Sequence, residues 1–146
     1  MSFVDRILGR KRPPAGRKTS HPPSSPRVYP GVQPLEVRGE SYRQDALARV
    51  VGGKTQDGHA TPVVAVLRPE PTNPYDTNAI AVLINGTKVG YVNKDDAAQL
   101  HRSVADLEIR TGRPVALNGT IVGGWDHGNG DEGHFGVWLE YDPQDF

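Results

Sequence analysis

The chain has 146 residues, and its 17 Lys and Arg residues balance its 17 Asp and Glu residues, so its formal net charge is zero. It contains no cysteine, which excludes a disulfide framework, a cysteine nucleophile and a thiolate zinc site. Its apolar runs are far shorter than the roughly 20 residues that span a bilayer, and no signal-peptide core precedes the first basic cluster. These features predict one small cytoplasmic domain with no membrane span.

The charge is divided unevenly along the chain. Residues 1–27 carry seven basic residues and one acidic residue, a net charge of +6, whereas residues 28–146 carry ten basic and sixteen acidic residues, a net charge of −6. Seven of the thirteen prolines lie within the first 34 residues. Such a segment cannot bury enough apolar surface to offset its conformational entropy, so residues 10–34 are predicted to be a disordered basic linker.

The first nine residues have a different pattern. Within them, Phe3 and Ile7 form one apolar pair at helical spacing, and Val4 and Leu8 form a second. A helix this short is marginal alone in water. Residues 1–9 are therefore interpreted either as a short docking helix, which forms only when Phe3–Leu8 contacts a protein partner or a membrane surface, or as a frayed chain end.

Short elements follow one another after the linker. Leu35–Arg38 has the composition of a strand. Ser41 followed by Gln44 is a capping-box pattern, which predicts a helix that ends at Gly52. The apolar, β-branched run over residues 61–68 predicts a further strand.

The second half of the chain continues in the same way. Two apolar runs flank Asn85-Gly86, the strongest short signal for a hairpin. Asn93 or Asp95 is predicted to cap a second helix that ends at Gly112. Two later segments alternate in polarity as half-buried strands do: Val115–Val122 and Phe135–Tyr141.

These elements amount to five or six short strands and two short helices in residues 35–146. That content predicts a mainly β domain, a small and partly open barrel of the OB-like or SH3-like class with helices at its ends. A domain of this size buries enough core to fold without a metal or disulfides. No cofactor is expected, and the protein is expected to be a monomer.

One part of the sequence carries a long ordered string of residues. Arg68–Val82 includes Asn-Pro-Tyr-Asp-Thr-Asn-Ala-Ile-Ala-Val, and Gly86–Tyr91 then ends in Val-Gly-Tyr. Together with Val37–Tyr42, these segments resemble the HIRAN domain family over about residues 35–110. The resemblance implies a modified OB-like barrel, which in fork-remodelling ATPases binds the 3′ end of single-stranded DNA.

The resemblance also implies which residues contact DNA. The positions that match the family's DNA contacts are Tyr75, Asp76, Tyr91 and Lys94. Tyr42 in the opening turn is included among the predicted DNA-binding residues, and Phe135 on the last strand is a candidate for a further stacking surface. A tyrosine offers a flat face on which a base stacks, worth about 1–3 kcal/mol per base. An ionised Asp76 can accept a hydrogen bond from a 3′-hydroxyl, whereas a 3′-phosphate would meet like charge. Lys94 can hold the adjacent phosphate.

The opening turn departs from the family pattern. DNA-binding relatives place a basic and an aromatic residue before the tyrosine of this turn, whereas this chain has Glu40 and Ser41 before Tyr42. Glu40 removes a phosphate contact and adds a negative charge. The linker is predicted to compensate through non-specific contacts with the phosphate backbone, made by Arg10, Lys11, Arg12, Arg17 and Lys18.

A metal site and an enzyme are both disfavoured. His127 and His134 are seven residues apart across a Gly-rich stretch, which suits no zinc pattern, and glycines stand where a calcium loop needs oxygen ligands. A long solvated hairpin loop is predicted there instead. The sequence contains no nucleophile elbow, phosphate-binding loop or recognisable catalytic order, so the protein is predicted not to be an enzyme.

Two functions from different classes stay open. The first is a non-catalytic module that recognises a single-stranded DNA end with a 3′-hydroxyl, in DNA repair, replication or restriction-type processes at the nucleoid. The second is a protein-interaction module, in which the acidic barrel binds a peptide or partner subunit and the N-terminal segment docks onto a larger assembly. The Asn-Pro-Tyr-Asp string favours the first function, whereas Glu40 and the net charge of −6 favour the second.

Overall fold

The computed structural model of the protein describes residues 25–146. Its strands and α-helices in chain order are β1 (Arg27–Tyr29), β2 (Gln33–Arg38), α1 (Gln44–Val51), β3 (His59–Pro69), β4 (Ile80–Ile84), β5 (Thr87–Val92), α2 (Lys94–Thr111), β6 (Val115–Gly123) and β7 (Phe135–Tyr141). Two short 3-10 turns lie at Glu40–Tyr42 and Pro143–Asp145. The predicted mainly β fold with two helices is confirmed, although α2 has 18 residues and is not short.

Six of the strands close into a barrel. Their order is β6-β3-β4-β5-β2-β7, and the pairing of β7 with β6 completes the ring. β3 pairs with β6 over the whole of residues 115–123, so the other two partners of β6 share its opposite flank. On that flank β1 runs parallel to residues 115–117, and β7 runs antiparallel to residues 119–123.

Aliphatic side chains fill the barrel. The largest of the fully buried side chains include Leu35, Leu67, Ile80, Leu117, Ile121 and Leu139, and each such residue contributes about 1.5–3 kcal/mol when it leaves water. One face of α2 is also buried, through Ala97, Leu100, Val104 and Leu107. Neither helix within residues 25–146 has the length and apolar character needed to cross a membrane.

Local signals set the hairpin and the ends of α2, as the sequence predicts. Asn85 and Gly86 connect β4 to β5 with φ values of 52° and 79°, which is the left-handed pair that a type I′ turn requires. Asn93 caps α2 by accepting a hydrogen bond from the backbone N–H of Asp95, and Gly112 ends the helix at φ 69°.

The start of α1 differs from the prediction. In place of a capping box with Ser41, α1 begins at Gln44, and among the described residues no side chain caps it. The Gln44 amide instead donates to the carbonyl of Phe135 at 2.9 Å and accepts from the N–H of Phe135 at 2.7 Å. These two bonds satisfy backbone groups at the start of β7 that β2 does not reach, so a long-range contact replaces the local cap.

The ordered domain begins earlier than residue 35. β1 and the start of β2 fall within the segment that the composition predicts to be a linker through residue 34. Long-range contacts hold this stretch, since the guanidinium of Arg113 donates to the carbonyls of Ser25 at 3.0 Å and Pro26 at 2.9 Å. Local composition underestimates order here, because β1 is completed by pairing with β6 far along the chain.

Several predictions fall on residues outside the described part of the chain. These are the docking helix of residues 1–9, the portion of the linker before residue 25, and the five basic residues predicted to contact the DNA backbone, which are Arg10, Lys11, Arg12, Arg17 and Lys18.

Candidate nucleic-acid interface

The loop between β3 and β4 is shaped by one asparagine. Asn73 Oδ1 accepts hydrogen bonds from the backbone N–H groups of Tyr75 at 2.8 Å and Asp76 at 3.2 Å, a local turn that asparagine side chains favour. Asp76 Oδ1 in turn accepts from the N–H of Asn78 at 2.9 Å. The turn directs Tyr75 outward, and 95% of this residue is exposed.

A polar cluster ties this loop to β5, and we call it the Glu70 cluster. Lys88 Nζ donates to Glu70 Oε2 at 2.6 Å and to the Tyr91 hydroxyl at 2.8 Å. The Tyr91 hydroxyl donates to Glu70 Oε1 at 3.0 Å, and Asn73 Nδ2 donates to the same oxygen at 3.0 Å. The phenol group of Tyr91 is therefore engaged within the protein, and its ring is half-buried.

The Glu70 cluster keeps both of its charged members ionised. Partial burial raises the pKa of Glu70, but hydrogen bonds from Lys88, Asn73 and Tyr91 outweigh this effect and hold that pKa below the ordinary value. Hydrogen bonds to Glu70 and Tyr91 raise the pKa of Lys88. At neutral pH the two side chains thus form an ion pair that fixes the base of the loop.

A β-bulge makes the cluster possible. In a regular strand, residues three apart point to opposite faces of the sheet, so Lys88 and Tyr91 would not meet. The pairing of β4 with β5 shifts register between Val82 and Leu83, which leaves Val89 as an extra residue on β5. One extra residue reverses the alternation and brings Lys88 and Tyr91 to the same side.

A groove of about 520 Å³ opens beside the Glu70 cluster, and we call it the basic groove. The turn before α1, α1 itself and the start of β5 supply its lining residues, which are Ser41, Tyr42, Arg43, Gln44, Asp45, Ala46, Arg49, Thr87 and Lys88. Lys88 is paired with Glu70, so the two arginines against Asp45 make this surface locally positive. Tyr42 stands at the groove with 88% of its surface exposed.

Hydrogen bonds join the basic groove to the loop. Lys88 lines the groove and pairs with Glu70, Glu70 accepts from Asn73, and Asn73 holds the backbone of Tyr75. Hydrogen bonds therefore connect the groove that Tyr42 lines to the loop that carries Tyr75.

Two of the predicted site residues are placed differently. Phe135 is only 3% exposed and packs beside His59, with 5.8 Å between their ring centroids. The prediction of a stacking surface at Phe135 is wrong, because the ring belongs to the core. Lys94 is exposed in the first turn of α2 and belongs neither to the Glu70 cluster nor to the basic groove.

The carboxylate of Glu40 does not face the basic groove. Its Oε2 accepts a hydrogen bond from the backbone N–H of Val137 at 3.2 Å, and Glu40 is half-buried. Glu40 therefore accepts a hydrogen bond near the start of β7, where Gln44 also forms hydrogen bonds. Its negative charge opposes phosphate at the basic groove less than its sequence position suggests, and Arg43 and Arg49 supply positive charge there instead.

The Gly-rich segment after β6 holds its polar residues in short local contacts. His127 Nδ1 lies 2.9 Å from Asp131 Oδ2, and hydrogen bonds from His127 and Trp125 lower the pKa of Asp131. Across the described residues 25–146, no group of three His, Asp or Glu side chains could hold a metal ion.

Comparison with known proteins decides the family. The family profile described as the HIRAN domain matches residues 31–113, which is more than half of the chain. The chain belongs to the HIRAN domain family. No match was found among curated proteins. The chain is also similar to the crystal structure of the HIRAN domain of human HLTF, with 22% identity, coverage of 60% of this chain and 76% of that chain, and a TM-score of 0.31.

The family assignment confirms the predicted resemblance, and the structure extends it. The HIRAN match ends at residue 113, before β6 and β7. Both strands nevertheless complete the same barrel, since β6 pairs with β3 and β7 pairs with β2. The HIRAN domain of this chain therefore includes about 30 further residues, as the alternating pattern of the two last strands implies.

Proposed function

We propose that this HIRAN domain is a non-catalytic module that binds nucleic acid and recognises the 3′-hydroxyl end of single-stranded DNA. Membership of the family supports nucleic-acid binding, because the resemblance implies a DNA-binding domain. The observation that carries the proposal is the pair of exposed rings, Tyr42 at 88% and Tyr75 at 95%, one at the basic groove and the other on the loop that hydrogen bonds connect to it.

Two stacking platforms and a basic groove suit a single strand. Each base that stacks on a tyrosine gains about 1–3 kcal/mol, and the gain depends little on sequence. Arg43 and Arg49 are exposed in the groove, where they can neutralise the phosphates between successive bases. The contacts with phosphate make the affinity salt-dependent.

Asp76 supports recognition of the strand's polarity. One of its carboxylate oxygens accepts from Asn78, whereas within residues 25–146 the other accepts no hydrogen bond. That oxygen can accept a bond from a terminal 3′-hydroxyl, and bonds to charged groups are the strong ones. A 3′-phosphate at the same position would be repelled, and because Asp76 is half-buried, solvent screens that repulsion only in part.

Fluorescence anisotropy with the full chain tests this proposal. Two labelled oligonucleotides differ only in ending with a 3′-hydroxyl or a 3′-phosphate. The hydroxyl end should bind at least about tenfold more tightly, since a hydrogen bond to a charged group contributes about 1.5–3 kcal/mol. Asp76→Asn should remove most of that ratio, while Asp57→Asn, at an exposed aspartate away from the loop, should retain it.

The experiment can reject recognition of the 3′ end and nucleic-acid binding separately. Equal affinities for the two ends would discard end recognition and leave nucleic-acid binding intact. No binding of either oligonucleotide at low salt would discard nucleic-acid binding itself. Under the proposal, any chemistry belongs to a partner protein, and the domain acts in the cytoplasm at the nucleoid, in DNA repair, replication or restriction-type processes.

A further inference from the structure

A second groove, of about 500 Å³, lies at the seam between β2 and β7, and we call it the acidic groove. Its lining residues are Pro34, Leu35, Glu36, Val37, Glu40, Asp96, Val137, Trp138 and Leu139. All of the charged residues in this lining are acidic. Trp138 stands at the groove with 68% of its surface exposed, which is unusual for a side chain with so much apolar area to bury.

The acidic groove arises from the course of β2. β2 pairs with β7 as far as Glu36 opposite Trp138, and then pairs with β5 from Val37 onward. The two strands separate at this point, and the carboxylate of Glu40 reaches across to the N–H of Val137. The opening is therefore built into the strand order of the barrel.

The strand register places a carboxylate beside the exposed indole. Glu36 lies directly opposite Trp138, so the Cβ atoms of the two residues are about 4.5–5.5 Å apart and their side chains share one face of the sheet. On the other side of Trp138, the opposite residue on β6 is the small Thr120. Among residues 25–146, the cations that lie over aromatic rings do so at Tyr29 and Tyr91, so the described protein leaves the indole face open.

Two carboxylates of the acidic groove have no cationic partner within residues 25–146. Glu36 forms an ion pair with Arg38 at 2.6 Å, in which both side chains are more than half exposed. Glu40 accepts its hydrogen bond from a backbone N–H group, and neither Glu40 nor Asp96 forms an ion pair with a described residue. A cation that enters the groove therefore meets two uncompensated carboxylates next to an open aromatic ring.

The described part of the chain offers no occupant for this groove. β1 runs parallel to β6, and Arg113 holds Ser25 and Pro26 beyond the end of β6 that is remote from Trp138, so the chain before β1 leads away from the groove. The barrel of a second copy is disfavoured as well, because residues 28–146 carry a net charge of −6 and two such surfaces repel each other. Charge complementarity therefore points to a different protein.

We propose that the acidic groove binds an extended segment of a partner protein that carries two arginines at alternate positions. A guanidinium group can stack on an indole ring and pair with a carboxylate, and the register of Glu36 and Trp138 offers both to one arginine. Alternate side chains of an extended segment project from the same face, about 7 Å apart. The second arginine can pair with Glu40 or Asp96. This proposal does not depend on the binding of DNA.

A peptide titration followed by NMR tests the docking in the full chain without DNA. The probe is Gly-Arg-Ala-Arg-Gly with blocked ends, and the control peptide is Gly-Lys-Ala-Lys-Gly. The chain has two tryptophans, and Trp138→Phe identifies the indole N–H signal of Trp138 by its loss. The arginine peptide should shift that signal and leave the signal of Trp125 in place. The lysine peptide should bind at least about threefold more weakly, because an ammonium group lacks the planar fork of a guanidinium.

Charge variants test where the peptide binds. Glu40→Gln with Asp96→Asn should weaken binding of the arginine peptide about threefold to tenfold, because the change removes two surface ion pairs, while the new amide can still accept from Val137. The matched pair Asp106→Asn with Glu108→Gln, two exposed acids on α2, changes the net charge equally and should change the affinity by less than about twofold.

Arg38 provides a test in the opposite direction. Arg38→Gln frees Glu36 from its internal ion pair, so the arginine peptide should bind about twofold more tightly, a gain that damage to the fold would not produce. Arg102→Gln, at an exposed position on α2, changes the net charge equally and should leave the affinity unchanged.

Four results would overturn the proposal. These are an unshifted Trp138 signal, equal shifts of both indole signals, equal affinity for the lysine peptide, and equal effects of the two pairs of acid variants. Because no DNA is present, each of them would leave the proposed binding of single-stranded DNA untouched.

Discussion

The basic groove and the acidic groove border the same short turn, Glu40–Tyr42, yet they carry opposite charge. Their volumes are close, at about 520 and 500 Å³. The cations of the first are Arg43, Arg49 and Lys88, and the acids of the second are Glu36, Glu40 and Asp96. The net charge of residues 28–146 would assign both surfaces to cationic ligands, so the local lining is the better guide to what each surface binds.

Each groove lies where regular strand pairing is interrupted. The bulge at Val89 brings Lys88 beside Tyr91 next to the basic groove. The change of partner by β2 opens the acidic groove. Interruptions of this kind redirect side chains away from simple alternation, and here they shape both grooves of the barrel.

The largest expected effect is the loss of single-stranded DNA affinity when the exposed tyrosines are replaced, compared with replacement of Trp138. Tyr42→Ala and Tyr75→Ala should each weaken single-stranded DNA binding about tenfold, and together about 100-fold, because each removes one stacking platform worth about 1–3 kcal/mol. Trp138→Ala should leave the affinity within about twofold, since stacking energy depends on contact with a base. Anisotropy titrations at one fixed salt concentration compare these four variants with the unmodified protein.

The opposite result would contradict the assignment of DNA binding to the surface that carries the two tyrosines. If Trp138→Ala weakened DNA binding while the tyrosine variants did not, the strand would lie on the acidic groove, and the assignment of the two surfaces would be reversed.

The next prediction concerns the contribution of Gln44 to the stability of the folded protein. Gln44→Ala removes the hydrogen bonds to the N–H and carbonyl of Phe135. Leaving half-buried backbone groups unpaired costs about 1–3 kcal/mol, so the free energy of unfolding should fall by about 2 kcal/mol in urea denaturation. Gln56→Ala, at an exposed position, should change it by less than about 0.5 kcal/mol. Similar losses in the two variants would show that the Gln44 contacts carry no special weight.

The sequence predicts the elements that depend on local signals. Asn85-Gly86 and Gly112 act where the sequence indicates. The alternation in β7 places Phe135 on the buried face, in disagreement with the prediction that its ring is a further stacking surface. For Phe135, the periodicity of the strand is the stronger evidence.

The sequence does not predict what depends on distant pairing. The Glu70 cluster joins residues 18 positions apart, and it needs a bulge that no local pattern of Lys88 and Tyr91 reveals. Arg43 immediately precedes α1 and Arg49 lies on it, but they line a groove only because the start of β5 packs opposite. The exposure of Tyr75 is different, since the turn chemistry of Asn73 favours an outward loop.

A smaller effect tests the charge of the basic groove. Arg43→Gln with Arg49→Gln should make the dependence of log K on log salt shallower by about 1.4, because each phosphate contact with single strands contributes about 0.7. The matched pair Arg102→Gln with Arg110→Gln, both exposed on α2, should keep the slope of the unmodified protein. Equal changes in the two pairs would mean that only the overall charge matters.

The smallest effect concerns the Glu70 cluster and pH. The pKa of Glu70 is lowered in the folded protein, so its contribution to stability is present above the ordinary pKa of 4.5 and is lost as the pH falls through the folded pKa. Glu70→Gln should therefore reduce the free energy of unfolding at neutral pH by up to about 1 kcal/mol, as solvent-accessible pairs do, and should flatten its acid dependence.

At alkaline pH, Lys88 makes the free energy of unfolding depend on pH with the opposite sign. The raised pKa of Lys88 gives a contribution that is present below the ordinary value and is lost as the pH rises through the folded pKa. Urea denaturation from pH 3 to pH 11 measures both sides. Parallel curves for Glu70→Gln and the unmodified protein would contradict the role assigned to the ion pair.

Photochemical crosslinking can show which side chain contacts the 3′-terminal base of a bound strand. A short oligonucleotide carries 5-iodo-deoxyuridine as its 3′-terminal nucleotide, is bound to the full chain and irradiated, and the crosslinked residue is identified by peptide mass spectrometry. We expect attachment at Tyr75, next to Asp76, or at Tyr42, which lines the basic groove. Attachment at Trp138, or at neither tyrosine, would contradict this expectation.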